Sequence, residues 1–275
     1  MEILRSISDS LTQKEVIQTL ISSHVDNGFS VALWKLPGDD DIQLILSQSQ
    51  LNPVQDIQLE ELEPGFIIAP FNRTDLSYHL KAETHFVLRN NEVTLLTPGK
   101  NWSSEKETNE QLSNVLRTHR KNFNSATIPK NKFIELVEKS INSISEGQFE
   151  KVVPSRCALL DERTINPLQV FENLCHQHPN AMVSLVSTPK TGTWIGASPE
   201  LLVSIDNRQI FKTVSLAGTQ PIQNGTNLRS VAWTQKEIEE QALVSRYIIN
   251  CFKKSDFVNL KSTDLKLFKL EIFYI

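Results

Sequence analysis

Apolar positions along the chain alternate between a period near 3.6 and a period of two. "LTQKEVIQTLISSH" carries helical spacing after Ser10, a candidate N-cap. "GFSVALWKLPGDDDIQLILSQ" reads as two strands about a Pro-Gly-Asp turn, and "HFVLRNNEVTLLT" as two strands about Asn90-Asn91. "PGFIIAPF" lies between these hairpins as a short apolar strand. Residues 98 to 130 lose the pattern: charge, Ser and Asn dominate, which predicts an exposed helix between loops joining two halves.

Beyond Pro129 the periodicity sharpens. Phe133, Ile134, Val137, Ile141 and Ile144 recur at helical intervals and stop before Gly147, a C-terminal cap. "FEKVVPSRCALL", residues 149 to 160, reads as a strand. Its alternation lines Lys151 up with Val153, Ser155, Cys157 and Leu159. "INPLQVFENLCHQHP" reads as a helix with Asn166 as cap and Pro167 in its first position. "AMVSLVS", "GTWIGASPELLVSID" and "QIFKTVSLAGT" are strand-like, the last two forming a hairpin about Asn207-Arg208, and a long helix covers "WTQKEIEEQALVSRYIINCFKK". Antiparallel hairpins without regular β-α-β alternation predict an α+β chain.

Composition narrows the class. Apolar residues make up 39% and charged residues 22%, the balance of a globular chain with a core. A formal net charge of −4 supplies no electrostatic attraction to nucleic acid or an anionic membrane. The three cysteines, Cys157, Cys175 and Cys251, have no C-x-x-C spacing and suggest neither a disulfide framework nor zinc. The N-terminus lacks an apolar signal core, and no run of about 18 apolar residues occurs. A soluble cytoplasmic protein is expected.

Among candidate chemical groups, Lys151 is either a snorkelling lysine at a strand end or a general base whose partial burial disfavours the ammonium. Glu200, in "GASPELLVSI", is either an edge-strand carboxylate in water or a protonated acid in apolar surroundings. Thr234 and Glu237 stand at capping-box spacing. Glu240 falls in an arc with Trp233, Leu243, Val244, Tyr247 and Cys251, where a carboxylate needs a partner or a metal. An ion pair with a residue such as Arg156 would serve that need equally. "LAGT", residues 216 to 219, is a turn by default, and Gly218 would let backbone amides approach an anion. His176 and His178 stand two apart, on different sides of a helix, and read as helix-end residues instead of metal ligands. Dinucleotide, P-loop and nucleophile-elbow motifs are missing.

Taken in order, "FEKVVPSR", "GASPELL", "LAGT" and "WTQKEIEEQ" resemble the chorismate-binding enzymes, which include isochorismate, anthranilate, aminodeoxychorismate and salicylate synthases. The resemblance is close over about residues 130 to 252. It implies two large antiparallel sheets packed together and flanked by helices, as one composite domain. Residues 1–125 would be its variable N-terminal half and 126–275 its chorismate-binding half.

The resemblance further implies a Mg²⁺-dependent reaction on chorismate. Lys151 would be the general base activating water, Glu200 the general acid, and Glu240 a metal ligand. Ala217, Gly218 and Thr219 would line the substrate site. A lysine at 151, where anthranilate synthases carry glutamine, points to isochorismate synthase. Ala217 stands where aminodeoxychorismate synthases carry lysine, and salicylate synthases share the lysine of 151. Product use in menaquinone or siderophore biosynthesis stays open, and a monomer is expected. After Cys251, "FKKSDFVNLKSTDLKLFKLEIFYI" departs from the family pattern, in which a further stretch supplies a second magnesium carboxylate and the basic residues that hold the substrate carboxylates. A truncated chain with the family fold and no turnover is therefore the alternative.

Overall fold

The computed structural model describes residues 12–54, 61–72, 76–90, 92–97, 127–159, 165–206, 208, 210–220 and 231–254. The exposed helix expected within 98 to 130 therefore falls almost wholly outside the described residues, as does the chain beyond Lys254.

Helix α1 (Gln13–Asp26) starts at a complete capping box. The Glu15 amide donates to the Thr12 hydroxyl, and the Thr12 amide donates to the Glu15 carboxylate at 2.7 Å. The cap is thus Thr12, not Ser10, because only Thr12 has an acid three residues on. Strands β1 (Ser30–Lys35) and β2 (Ile42–Ser47) form the first expected hairpin. β6 (Thr84–Arg89) and β7 (Glu92–Thr97) form the second, with Asn90 at φ 48° turning the chain. Between them lie β3 (Asn52–Val54), β4 (Gly65–Ile68) and β5 (Ser77–Lys81), a three-stranded sheet ordered β3-β5-β4.

Helix α2 (Lys130–Ser145) ends in a Schellman arrangement: Gly147, at φ 73°, donates to the Ile144 carbonyl and Gln148 to the Ser143 carbonyl. Helix α3 (Pro167–Gln177) begins as expected, the Asn166 side chain accepting from the Leu168 and Gln169 amides. β8 (Met182–Thr188) and β9 (Gly192–Ser198) follow. Then come the short pair β10 (Ser204–Ile205) and β11 (Phe211–Lys212), and helix α4 (Gln235–Lys254).

The principal sheet is antiparallel, ordered β7-β6-β2-β1-β8-β9, so strands from before and after the charged segment share one ladder. Period-two alternation divides its faces. Val31, Leu33, Leu44, Leu46, Phe86, Leu88, Val183 and Leu185 pack under α1 and α3 against Leu20, Ile21, Leu168 and Phe171. Ala32, Ile45 and Val186 face the other way and meet Leu51 and Leu80 of the smaller sheet's layer. Lys14 on α1 and Glu172 on α3 pair at 2.6 Å, tying the helices over that core. The expected α+β class with packed antiparallel sheets holds, the described sheets having six, three and two strands. No described helix is long and apolar enough to cross a membrane.

Two strand expectations are corrected. Residues 151–159 form no strand. Their described backbone hydrogen bonds run to residues just before α2: the Ile128 amide donates to the Cys157 carbonyl, and the Leu159 amide to the Thr127 hydroxyl. Val153 and Leu159 accordingly stand exposed. Alternation marks a segment able to pair, but a strand exists only where a ladder partner lies alongside. For the same reason the hairpin about residues 207 and 208 shortens to the two-residue strands β10 and β11.

Candidate active site

Helix α4 organises the site. The Ile238 amide donates to the Thr234 carbonyl at 3.2 Å, which puts Thr234 at the N-cap position. The side-chain half of the expected capping box is not made among the described residues. The Glu237 side chain lies against Gly218 instead, with its Oε2 buried and, among the described residues, without a hydrogen-bond partner. The face turned inward carries Glu237, Glu240, Gln241, Val244 and Ser245, all partly buried, whereas Tyr247 and Cys251 are exposed. Glu240 thus points inward, with Leu243 and Val244 of the expected apolar arc partly buried beside it and Tyr247 and Cys251 of that arc exposed. Three- and four-residue spacing explains the grouping: positions 237, 240, 241, 244 and 245 share one side of the helix.

Lys151 reaches that face from 89 positions earlier in the chain. Its Nζ donates to Glu240 Oε1 at 2.9 Å, with 29% of the lysine and 33% of the glutamate side chain exposed. Arg156, the alternative partner weighed for Glu240, stacks its guanidinium over the Phe133 ring instead, 5.9 Å from the centroid.

The "LAGT" segment is laid along the same helix by Gln241. The Gln241 side-chain amide donates to the Ser215 carbonyl and hydroxyl, each at 2.9 Å. Its oxygen accepts from the Ala217 amide at 3.1 Å, and Ser245 donates to the Ser215 hydroxyl. The Ala217 amide is therefore engaged within the protein. Gly218 comes so close to α4 that a Cβ there would lie 2.6 Å from the Glu237 carbonyl oxygen. Its lack of a side chain serves helix approach at this point. Gln241 is the functional-site residue that sequence reasoning passed over. It directly follows Glu240, but a glutamine's partners cannot be read from helical phase.

Glu200 stands apart. It follows the end of β9, exposed, and its described hydrogen bonds are those of its backbone with Ser198. Among the described residues no hydrogen bond or ion pair joins its carboxylate to Lys151 or Glu240. The structure thus gathers Lys151, Glu240 and residues 215 to 218 about one helix face and leaves Glu200 outside that hydrogen-bonded set. Thr219 continues the same segment, exposed.

As to a metal, no group of three or more His, Cys, Asp or Glu side chains able to hold an ion occurs among the described residues. Mg²⁺ needs less from a protein, binding one or two carboxylates while keeping water and substrate oxygens. Glu237 and Glu240, three residues apart on the inward face, offer that donor set. The buried, unpartnered Glu237 oxygen is a polar atom a cation would satisfy. The residues present fit such an ion.

The family profile described as "Chorismate binding enzyme" matches residues 71–271, most of the chain. This protein belongs to the chorismate-binding enzymes. Within the family, the chain is similar to an Aeromonas hydrophila protein whose name is "Putative isochorismate synthase", with 29% identity over 125 residues. That match covers 43% of this chain and 31% of the Aeromonas protein, so it spans less than a third of that relative's length. The family match takes in every residue of the α4 site, from Lys151 through the 215–219 segment to Glu240 and Gln241.

Proposed function

We propose that this chorismate-binding chain carries the water-adding centre of an isochorismate synthase, acting on chorismate with Mg²⁺. The observation that carries the reading is the meeting of Lys151 with Glu240 on the helix face that also holds the 215–219 segment. An amine able to move a proton, a carboxylate able to hold a cation, and a glycine-containing segment able to line a flat ring stand within one site. The similarity to the Aeromonas hydrophila protein supports the same reading.

In the reaction, water adds at C2 of the chorismate ring, the diene electrons shift, and the C4–oxygen bond breaks. Lys151 would take the proton that water loses as its oxygen bonds to C2. Glu200 would give a proton to the departing C4 hydroxyl, which leaves as water, so the ring gains and loses one hydroxyl. That role requires substrate to bridge from the α4 face to the end of β9, because Glu200 makes no bond to the pair. Residues 217 to 219 would wall the ring, held in place by Gln241. Mg²⁺, when bound through Glu240 and Glu237, would withdraw charge from the ring carboxylate.

The test is incubation of the chain with chorismate and Mg²⁺, with products separated by chromatography. Isochorismate is expected, and Lys151→Gln should lower its formation by a factor on the order of 10²–10⁴, as for loss of a general base. Salicylate or anthranilate as the product would replace the reading by that of a different chorismate synthase. Isochorismate formation undiminished in Lys151→Gln would remove Lys151 from the chemistry.

A further inference from the structure

Glu240 is asked to serve two cations. In the structure its Oε1 accepts from the Lys151 ammonium at 2.9 Å. Resting on the reading that Glu240 is a ligand of the metal, we infer that Lys151 occupies the cation's place in the metal-free protein. The divalent ion and the ammonium would then compete for one carboxylate, so that metal binding is the event that frees Lys151 from Glu240.

The physical case has three parts. An ammonium on a carboxylate oxygen and a divalent ion on the same carboxylate would lie a few ångströms apart, where like charges repel strongly in a partly desolvated site. The ammonium is displaceable: a four-carbon stem carries it, about a third of each side chain is exposed, and pairs of that exposure are weak. The alternative carboxylate on this face is close by, since Glu237 sits three residues earlier with an oxygen that no donor among the described residues satisfies. A divalent ion would therefore gain one carboxylate already stripped of partners and take the second from Lys151.

The arrangement would also set an order of events. While Lys151 donates to Glu240, its Nζ is held at that carboxylate. Nζ is free to swing towards substrate only after a cation has taken the carboxylate. A protein short of metal would then hold a closed pair instead of an idle base facing solvent. The same pair shields Glu240 from being left as an unpartnered, partly buried charge.

Direct titration with Mn²⁺, free ion being followed by electron paramagnetic resonance without chorismate, tests the inference. Wild type should bind Mn²⁺ measurably, and Lys151→Met should bind it roughly two- to fivefold tighter, the ratio expected for removing a partly exposed competing pair. Lys151→Arg, which keeps the charge, should stay near wild type. Glu240→Gln should weaken binding and abolish the difference between Lys151 and Met at position 151. Lys151→Gln, read alongside, keeps the comparison valid should Lys151→Met fail to melt cooperatively.

Measurable wild-type binding with no gain in either neutral variant would overturn the competition while leaving Glu240 a ligand. No binding in wild type or the neutral variants would remove the metal role and the competition together. Neither result depends on turnover, so the isochorismate assay judges the catalytic reading separately.

Discussion

Gly218 and the carbonyl of Glu237 are in such close approach that a single added carbon at 218 would stand 2.6 Å from the carbonyl oxygen. The obstacle is helix backbone, which cannot swing aside as a side-chain tip would. Gly218→Ala should therefore lift the 215–219 segment off α4, straining the Ala217–Gln241 and Ser215–Gln241 hydrogen bonds. A loss of about 1–3 kcal/mol is expected, as for overpacking elsewhere. Urea unfolding should show a lower midpoint at an unchanged slope. A midpoint equal to wild type would mean that the segment accommodates the methyl group freely.

The Lys151–Glu240 pair should matter far more to chemistry than to stability. With about a third of each side chain in solvent, its contribution to folding should be below about 1 kcal/mol. Lys151→Gln is expected to melt within a few degrees of wild type while losing isochorismate formation. A variant that loses both together would identify the pair as a structural tie.

Acid should destabilise the chain through His24. Burial pushes this imidazole down to about 4, only partly opposed by the negative charge of Glu83, and its Nε2 has no hydrogen-bond partner among the described residues. The folded state therefore keeps His24 neutral, whereas the unfolded chain takes up a proton below about 6.5. Its contribution is complete above about pH 6.5 and is lost progressively as the pH falls towards 4, at most about 2–3 kcal/mol. Denaturation midpoints measured from pH 7 to pH 4 should fall along that window. His24→Leu, which cannot titrate, should flatten it.

Thiol chemistry should discriminate among the cysteines. Burial pushes the Cys175 thiol up to about 11; nearby Lys35 pulls against this and Glu172 adds to it. Cys157 and Cys251 are exposed. At pH 8, iodoacetamide followed by peptide mass spectrometry should modify Cys175 on the order of 100-fold more slowly than Cys157, since the thiolate is the reacting form. In urea the rates should converge.

Lysine burial marks the limit of reading residues one at a time. Alternation draws attention to Lys151, yet the lysine sealed into the fold is Lys35 on β1, whose Nζ donates to the carbonyls of Leu36, Asp39 and Pro179. Two of those carbonyls belong to the neighbouring turn and the third to a residue 144 positions away, brought there by the pairing of β1 with β8. Nothing in the local pattern announces it. The same holds for Gln241, whose partners lie 24 to 26 residues earlier along the chain or one turn on.

What the sequence determined by itself is what short-range physics decides. Helical phase and cap chemistry set α1, α2 and α3, Asn166 and Gly147 marking their ends, and turn residues set the two hairpins. The order of four motif blocks was enough to indicate the family. Tertiary structure alone decided whether "FEKVVPSRCALL" becomes a strand and which cation meets Glu240. It alone decided that Glu237 abandons its cap for Gly218 and that Glu200 stands apart from the pair. Those outcomes turn on which distant segment arrives alongside, and a ladder or an ion pair has no existence until both of its halves are in place.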